Sequence, residues 1–421
     1  MTRAEIITIG TEIVLGQIEN TNSAHVARAL TERGIQVLYQ TSVGDDRELL
    51  KSVLKIAISR VDMIVTTGGL GLTENDITRE VVSGVCGLQL VHNKEACMRI
   101  QEFMNDQHVY SADIHNKQAF IPEGAVVITN ENGTAIGFAL RRNNTEIVCL
   151  PGVPREMQSM VKKYLSVYPF HRQAEEGCTV TRSFHTFGIP EYGVEKMVKG
   201  SLLNRADIKV MTRVHDGIVT VDIHTTAQKR TDAEKLIYDA GRVIQKALGN
   251  AVFGVGDEAL EYAVFELLKK HNKTIAVAES CTGGLVSDKL TNMPGVSEYF
   301  LEGVVAYSNK AKVDILSVPE ELINKYGAVS SQVARAMAEG IKKISSANIG
   351  VGITGIAGPT GATKEKPVGL VYVGVVVDNG VEVKECRFRG SRMDIKKFSA
   401  NTALNMIRLK LMDIESLARR I

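Results

Sequence analysis

The stretch "AVAESCTGG", Ala276 to Gly284, sets the reading of the C-terminal half of this chain. Thr274 to Ala278 is a short apolar run that ends on Glu279-Ser280-Cys281-Thr282-Gly283-Gly284. A buried strand that runs through a small polar turn into a helix is the repeating step of an α/β sheet. Such a turn predicts backbone N–H groups free at the helix start, where an anion or a developing oxyanion can sit. Ser280 and Cys281 are both candidate nucleophiles. A phosphate-binding loop, or a turn and nothing more, fits the same residues.

The partners of that turn narrow the choice. The last histidine of the chain is His271, nine residues before Ser280 and on the other side of the strand. A Ser–His–Asp triad within this part of the chain is therefore disfavoured, and the simplest base for Ser280 is a lysine. A lysine serves as a base only if burial or a nearby cation brings its pKa down from about 10.4. Candidates lie in "GVVAYSNKAK", Gly303 to Lys312, which puts Tyr307 at a strand end and Lys310 and Lys312 at a helix start. In "GVGITGIAGP", Gly350 to Pro359, a third apolar strand enters a glycine-rich loop, where Thr354 offers a hydroxyl. Ligands bind at such strand-end loops in open α/β sheets. Thr354 also reads as a simple cap, and Cys281, without a histidine partner, as a buried structural cysteine.

The chain has 421 residues, 44% hydrophobic and 23% charged, which bounds it to about two to four domains of ordinary globular composition. A formal net charge of +2 and the absence of Trp argue against direct nucleic-acid binding. The six cysteines form no CxxC pair, which disfavours a zinc knuckle or dithiol motif. A disulfide framework is not expected in a chain this long. There is no signal-peptide pattern, and no apolar run approaches the ~18 residues that would span a bilayer. A cytoplasmic protein with no membrane contact is the expectation.

Residues 1–170 alternate strand and helix signals: Glu5 to Ile9, Asn22 to Arg33 with Gly34 as cap, Gln36 to Gln40, Arg47 to Ser59, Met63 to Thr67. That order predicts a parallel sheet covered by helices. Residues 171–253 read as a small α+β linker or dimerisation domain of βαββα order. Its strands are Cys178 to Thr186, Ile208 to Arg213 and Ile218 to Thr225, and its helices Glu191 to Lys199 and Asp232 to Leu248. A third domain, α/β, spans 257–421 and closes with a helix from about Asp394 to Ala418.

In the first domain "TTGGLGLTENDITRE", Thr66 to Glu80, follows an apolar strand. Its glycines Gly68, Gly69 and Gly71 would let the backbone approach a phosphate. Asp76 is placed for a metal ion or a ligand hydroxyl, or equally as an exposed helix-capping carboxylate. "GTAIGF" (Gly133 to Phe138) and "LPGVPREM" (Leu150 to Met157) add two turns with polar tips, Arg155 and Glu156 among them.

Five ordered blocks make a resemblance specific. "AESCTGG", "YSNKAK", "GAVS" (Gly327 to Ser330), "GITGIAGP" and "KPVGLVYVG" (Lys366 to Gly374) resemble the signature of the CinA C-terminal domain, the nicotinamide mononucleotide amidohydrolase family. The resemblance implies hydrolysis of the carboxamide of nicotinamide mononucleotide to nicotinate mononucleotide and ammonia, without a cofactor, as a step of pyridine nucleotide salvage. It assigns the catalytic roles to Ser280, Tyr307 and Lys312. It assigns substrate contacts to Thr354, Gly283, Gly284, Gly355 and Arg392, with Arg389 an alternative for the phosphate. Lys310 stands where the family pattern usually has an acidic residue, and a second ammonium there would lower the pKa of Lys312.

The N-terminal blocks, with "GTEIVLGQIENTN" (Gly10 to Asn22) and "NKQAFIP" (Asn116 to Pro122), resemble the CinA N-terminal domain, which shares its fold with molybdopterin-binding proteins. That implies a pyrophosphatase acting on ADP-ribose with a divalent metal (Mg, Co or Mn) at Asp76 and substrate contacts from Gly68, Gly69, Gly71 and Glu156. The chain departs from the family pattern at Leu72, Asn75 and Ile136. The resemblance also suggests a homodimer. Two other readings stand beside the enzyme: a molybdopterin-binding protein, and a competence or DNA-damage accessory protein.

Overall fold

The computed structural model describes residues 2–106, 116–167, 178–202, 205–378 and 380–418. They fall into two compact units: Met1–Val180 with Thr226–Glu234, and Thr181–Thr225 with Lys235–Ile421. The domain boundary expected at 170/171 lies outside the described residues.

The first unit is built on a six-stranded sheet in the order β2-β1-β3-β8-β7-β6. The strands are β1 (Arg3–Ile9), β2 (Gln36–Val43), β3 (Met63–Thr67), β6 (Val126–Ile128), β7 (Gly137–Arg142) and β8 (Thr145–Leu150). The pairs β1/β2, β1/β3 and β3/β8 are parallel, while β7/β8 and β6/β7 are antiparallel. The expected parallel core is present, extended at one edge by a short meander. A separate ribbon pairs β4 (Leu90–His92) with β5 (Phe120–Pro122). Period-two alternation divides the core side chains. Ile7, Ile9 and Ile64 pack in one apolar cluster, and Ala4, Ile6, Met63 and Val65 in another. The helix Arg47–Arg60 follows from its sequence in the same way. Asp46 caps it by accepting from Leu49 N–H, and Leu50, Leu54 and Ala57 recur on its buried face.

Two further sheets follow along the chain, most of their residues in the second unit. A four-stranded sheet runs β10-β11-β9-β12, from β9 (Cys178–Thr186), β10 (Lys209–His215), β11 (Ile218–Ala227) and β12 (Val252–Val255). The helices Glu191–Ser201 and Arg230–Leu248 complete the expected βαββα order.

The other sheet runs β14-β13-β15-β16-β17. Its strands are β13 (Ile275–Glu279), β14 (Phe300–Val305), β15 (Ile349–Gly355), β16 (Leu370–Val377) and β17 (Gly380–Arg387). β14, β13 and β15 are parallel, and β16 and β17 turn back antiparallel. Along β13 the large side chains Ile275 and Val277 join the cluster under the helices Leu260–His271 and Arg392–Ala418. The small ones, Ala276 and Ala278, join the cluster with Val333, Met337 and Ile341 of the helix Ser331–Ser345. Helices thus cover both faces. Glycines of "GVGITG" explain the closeness of the second layer: a Cβ on Gly350 would stand 2.2 Å from the Ala338 carbonyl oxygen, and one on Gly352 2.4 Å from that of Ala334. Those glycines serve helix-on-sheet contact. Among the described residues no helix is long and apolar enough to cross a membrane.

Candidate active site

Three parallel strands of the five-stranded sheet deliver their carboxyl ends to one place. β13 ends at Glu279 with Ser280 next, β14 leads to Tyr307 and the helix Asn309–Asp314, and β15 ends with Thr354 and Gly355. The chain leaves β13 to one side, for β14, and later returns on its other side as β15. A crevice opens at such a switch point because the two crossovers diverge.

Lys312 reaches Ser280 there. Its Nζ stands 3.1 Å from Ser280 Oγ, 2.9 Å from the Ala306 carbonyl and 3.3 Å from the Tyr307 carbonyl. The residue is 1% exposed. Burial pushes its pKa below the usual lysine range, with the Cys281 sulfur opposing the shift. A neutral amine has two N–H bonds and one lone pair. The two carbonyls match the N–H bonds, which leaves the lone pair for the Ser280 hydroxyl. Ser308 organises the approach by capping the short helix, its Oγ accepting from Ala311 N–H at 3.0 Å.

The other expected residues are placed differently. Tyr307 meets Lys312 through its backbone carbonyl. Its hydroxyl accepts from Arg392 at 2.9 Å, and its side chain is largely exposed. A proton relay from Ser280 to Lys312 through the Tyr307 hydroxyl is therefore not what the geometry provides; the contact is direct. Arg392 also donates to the Gly358 carbonyl at 2.6 Å, so the guanidinium ties the end of β14 to the loop after β15. Thr354 is buried, and its hydroxyl donates to the Ala328 carbonyl at 2.8 Å. It fastens the "GAVS" turn, with Gly355 following at the strand end. Lys310 is exposed and paired with Asp314, so it is not what lowers the pKa of Lys312.

One residue escaped the sequence reading. Glu279 is fully buried, and its carboxylate accepts from Gly284 N–H (3.0 Å), Val286 N–H (3.1 Å), Ser287 N–H (2.9 Å) and Ser287 Oγ (2.8 Å). The helix-start amides expected to be free for an oxyanion are thus taken by the residue before the nucleophile. The sequence signal was present: an acidic residue closing an otherwise apolar buried strand needs an internal partner. Gly283 and Gly284 sit at φ 63° and 93°, which gives them a backbone role in this turn.

Cys281 lies beside Ser280 in a different state. Burial pushes its thiol up to about 12, so it is protonated at neutral pH and inert as a nucleophile or metal ligand. Iodoacetamide at pH 8 is expected to leave Cys281 unmodified in the folded protein, read by peptide mass mapping. Prompt alkylation there would contradict the burial.

In the first unit the glycine-rich loop closes on itself. Cβ atoms on Gly68 and Gly69 would stand 2.1 Å from the Ile9 carbonyl oxygen and 2.3 Å from Thr78 Oγ1. Asp76 binds its own loop: one carboxylate oxygen accepts from Gly71 N–H at 2.7 Å, the other from Thr73 N–H and Oγ1 at 2.8 and 2.7 Å. Lys117 donates to the Thr73 and Asp76 carbonyls. Glu156 lies against Gly133 and accepts from Asn130 at 2.7 Å, and burial raises its pKa. Among the described residues no group of three or more His, Cys, Asp or Glu is arranged to hold a metal ion. The expected metal role of Asp76 does not fit this donor set, because no group of three such side chains gathers around it among the described residues.

Known protein families match three stretches of the chain. Residues 257–411 match the CinA C-terminal domain model, 181–254 the damage-inducible protein CinA KH domain, and 5–171 the "Probable molybdopterin binding domain". A protein of Caldicellulosiruptor bescii, provisionally named as competence-damage inducible, is 42% identical over 97% of this chain and 99% of its own length. A CinA-like protein of Dictyoglomus thermophilum is 42% identical over 98% of this chain and 100% of its own. The crystal structure of a competence/damage inducible protein from Agrobacterium tumefaciens shares 40% identity, covering 36% of this chain and 93% of that one at a TM-score of 0.35.

Proposed function

Because the chain belongs to the CinA family, we propose that its C-terminal half is an amidohydrolase that cleaves the carboxamide of nicotinamide mononucleotide, giving nicotinate mononucleotide and ammonia. The observation that carries this reading is the contact at 3.1 Å between Ser280 Oγ and a buried Lys312 whose pKa is lowered by desolvation. Neutral Lys312 takes the Ser280 proton as Oγ attacks the carboxamide carbon, forming the C–O bond. The ammonium then returns that proton to the leaving nitrogen as the C–N bond breaks, and ammonia departs. Water, deprotonated by the same amine, attacks the acyl-Ser280 and restores the hydroxyl. One such general base contributes about 10²–10⁴-fold. Arg392, at the crevice edge, supplies positive charge for the phosphate of the substrate.

The reading is confined to this half. Cleavage of ADP-ribose by the first unit would need a metal, and the donors around Asp76 do not support one.

The test is a coupled ammonia assay of the full chain with nicotinamide mononucleotide, with the nucleotide product identified by mass. Ammonia and nicotinate mononucleotide are expected in equal amounts. No ammonia above the uncatalysed rate overturns the proposal.

A further inference from the structure

The long helix Arg392–Ala418 is held on two sides. Its first turn serves the crevice: Arg392 grips the Gly358 carbonyl and the Tyr307 hydroxyl. Lys396, one turn on, sits over the nucleophile turn, where a Cβ on Gly283 would stand 3.5 Å from its Nζ. The next residues face the four-stranded sheet. Lys397 Nζ is 3.1 Å from Asp216 Oδ1, and Asn401 Nδ2 donates to the Asp216 carbonyl at 2.9 Å. Phe398 lies against Gly217, where an added Cβ would meet its ring at 3.1 Å. Further along, buried Arg408 donates to the carbonyls of Asn250 and Val252 at the other end of that domain.

Asp216 and Gly217 are the tip of the β10–β11 hairpin, paired from His215↔Ile218 to Lys209↔His224. Both have positive φ, 51° and 78°, the signature of a two-residue type I′ turn with an Asp-Gly sequence. This turn is a favoured hairpin connection, because its twist matches that of the strands it joins. A tip held against one face of a helix by an ion pair, a hydrogen bond and a ring contact adds to the core packing of that helix in setting its rotation, and so in setting where its other face presents Arg392 and Lys396.

We infer that the β10–β11 hairpin is a positioning element of the crevice, with Asp216 and Gly217 setting the helix that presents Arg392 and Lys396 to the anionic part of the substrate. The inference rests on the amidohydrolase reading for its substrate and deepens it. It makes the middle domain part of the nucleotide-binding apparatus without any of its residues touching the reacting atoms. Asp216 acts through Lys397 and Asn401, so the effect of losing it falls on binding: KM rises while kcat holds.

The experiment uses the full chain carrying Asp216→Ala or Gly217→Ala. Two readouts are taken: steady-state kinetics on nicotinamide mononucleotide, and amide hydrogen exchange over residues 396–402, which does not depend on activity. Expected are a rise in KM of about fivefold with kcat little changed, and faster exchange over 396–402 than in wild type. A purely structural role would lower apparent kcat with the folded fraction and leave KM unmoved; that result overturns the inference. So does unchanged exchange over 396–402 in both variants. If wild type releases no ammonia, the amidohydrolase reading falls by itself, and exchange alone decides whether the hairpin sets the helix.

Discussion

Lys312→Met is expected to lower ammonia release from nicotinamide mononucleotide by roughly 10²–10⁴-fold and to abolish its alkaline rise. Methionine keeps an apolar stem as far as the Cε position and removes the nitrogen whose lone pair faces Ser280 Oγ. Activity of the wild type needs Lys312 neutral, so it climbs as pH rises through the lowered pKa of the folded state. In the variant that limb has no group to produce it. Ser280→Ala is expected to lose as much, and the double variant no more than either single one, because the two side chains act as a unit. A variant at Lys312 that keeps the wild-type pH limb would show that another group is the base.

The same pKa shift has a consequence for stability, with the sign fixed by linkage. In the folded state Lys312 gives up its proton more readily than in the unfolded chain, where its pKa is about 10.4. Between the two values the unfolded state binds more protons, so stability increases with pH. Below the folded-state value both forms carry the charge and the desolvation penalty is present in full. Wild type should therefore gain stability relative to Lys312→Met as pH rises through that window, read from urea midpoints.

The strands and helices that build the crevice were legible in the sequence because each is a local pattern. Apolar runs ending in small residues gave β13 and β15, and the spacing of apolar residues gave the helices. For the base of Ser280, the lack of a downstream histidine narrowed the choice only to Lys310 and Lys312, and it was the resemblance that singled out Lys312. What could not be read were long-range hydrogen bonds. Nothing local says that Thr354 donates to Ala328 or that the Tyr307 hydroxyl turns to Arg392. Polar side chains in loops are ambiguous for a physical reason: the same hydroxyl or carboxylate satisfies a ligand or the backbone, and the choice depends on what folds against it. The antiparallel strands β16 and β17 and the two glycine contacts under the Ser331–Ser345 helix follow the same logic, because partners far along the chain decide them.

Glu279, by contrast, finds its partners within eight residues, and its replacement carries the second large effect. Glu279→Ala is expected to destabilise the C-terminal domain by about 3 kcal/mol or more, since each buried donor left unmade costs about 1–3 kcal/mol. Four donors lose their acceptor at once: the N–H groups of Gly284, Val286 and Ser287, and the Ser287 hydroxyl. Glu279→Gln separates charge from shape. All four partners are donors, so the amide NH2 must face at least one of them whichever way the side chain turns; only Ser287 Oγ is able to reverse its role. Glutamine should therefore recover part of the stability and little of the activity, because the turn that aims Ser280 at Lys312 is held by both carboxylate oxygens. The measurement is a urea midpoint for each variant beside its kcat. If Glu279→Ala unfolds at the wild-type midpoint and still releases ammonia at the wild-type rate, the amides of this turn are satisfied in some other way, and they become available to an oxyanion after all.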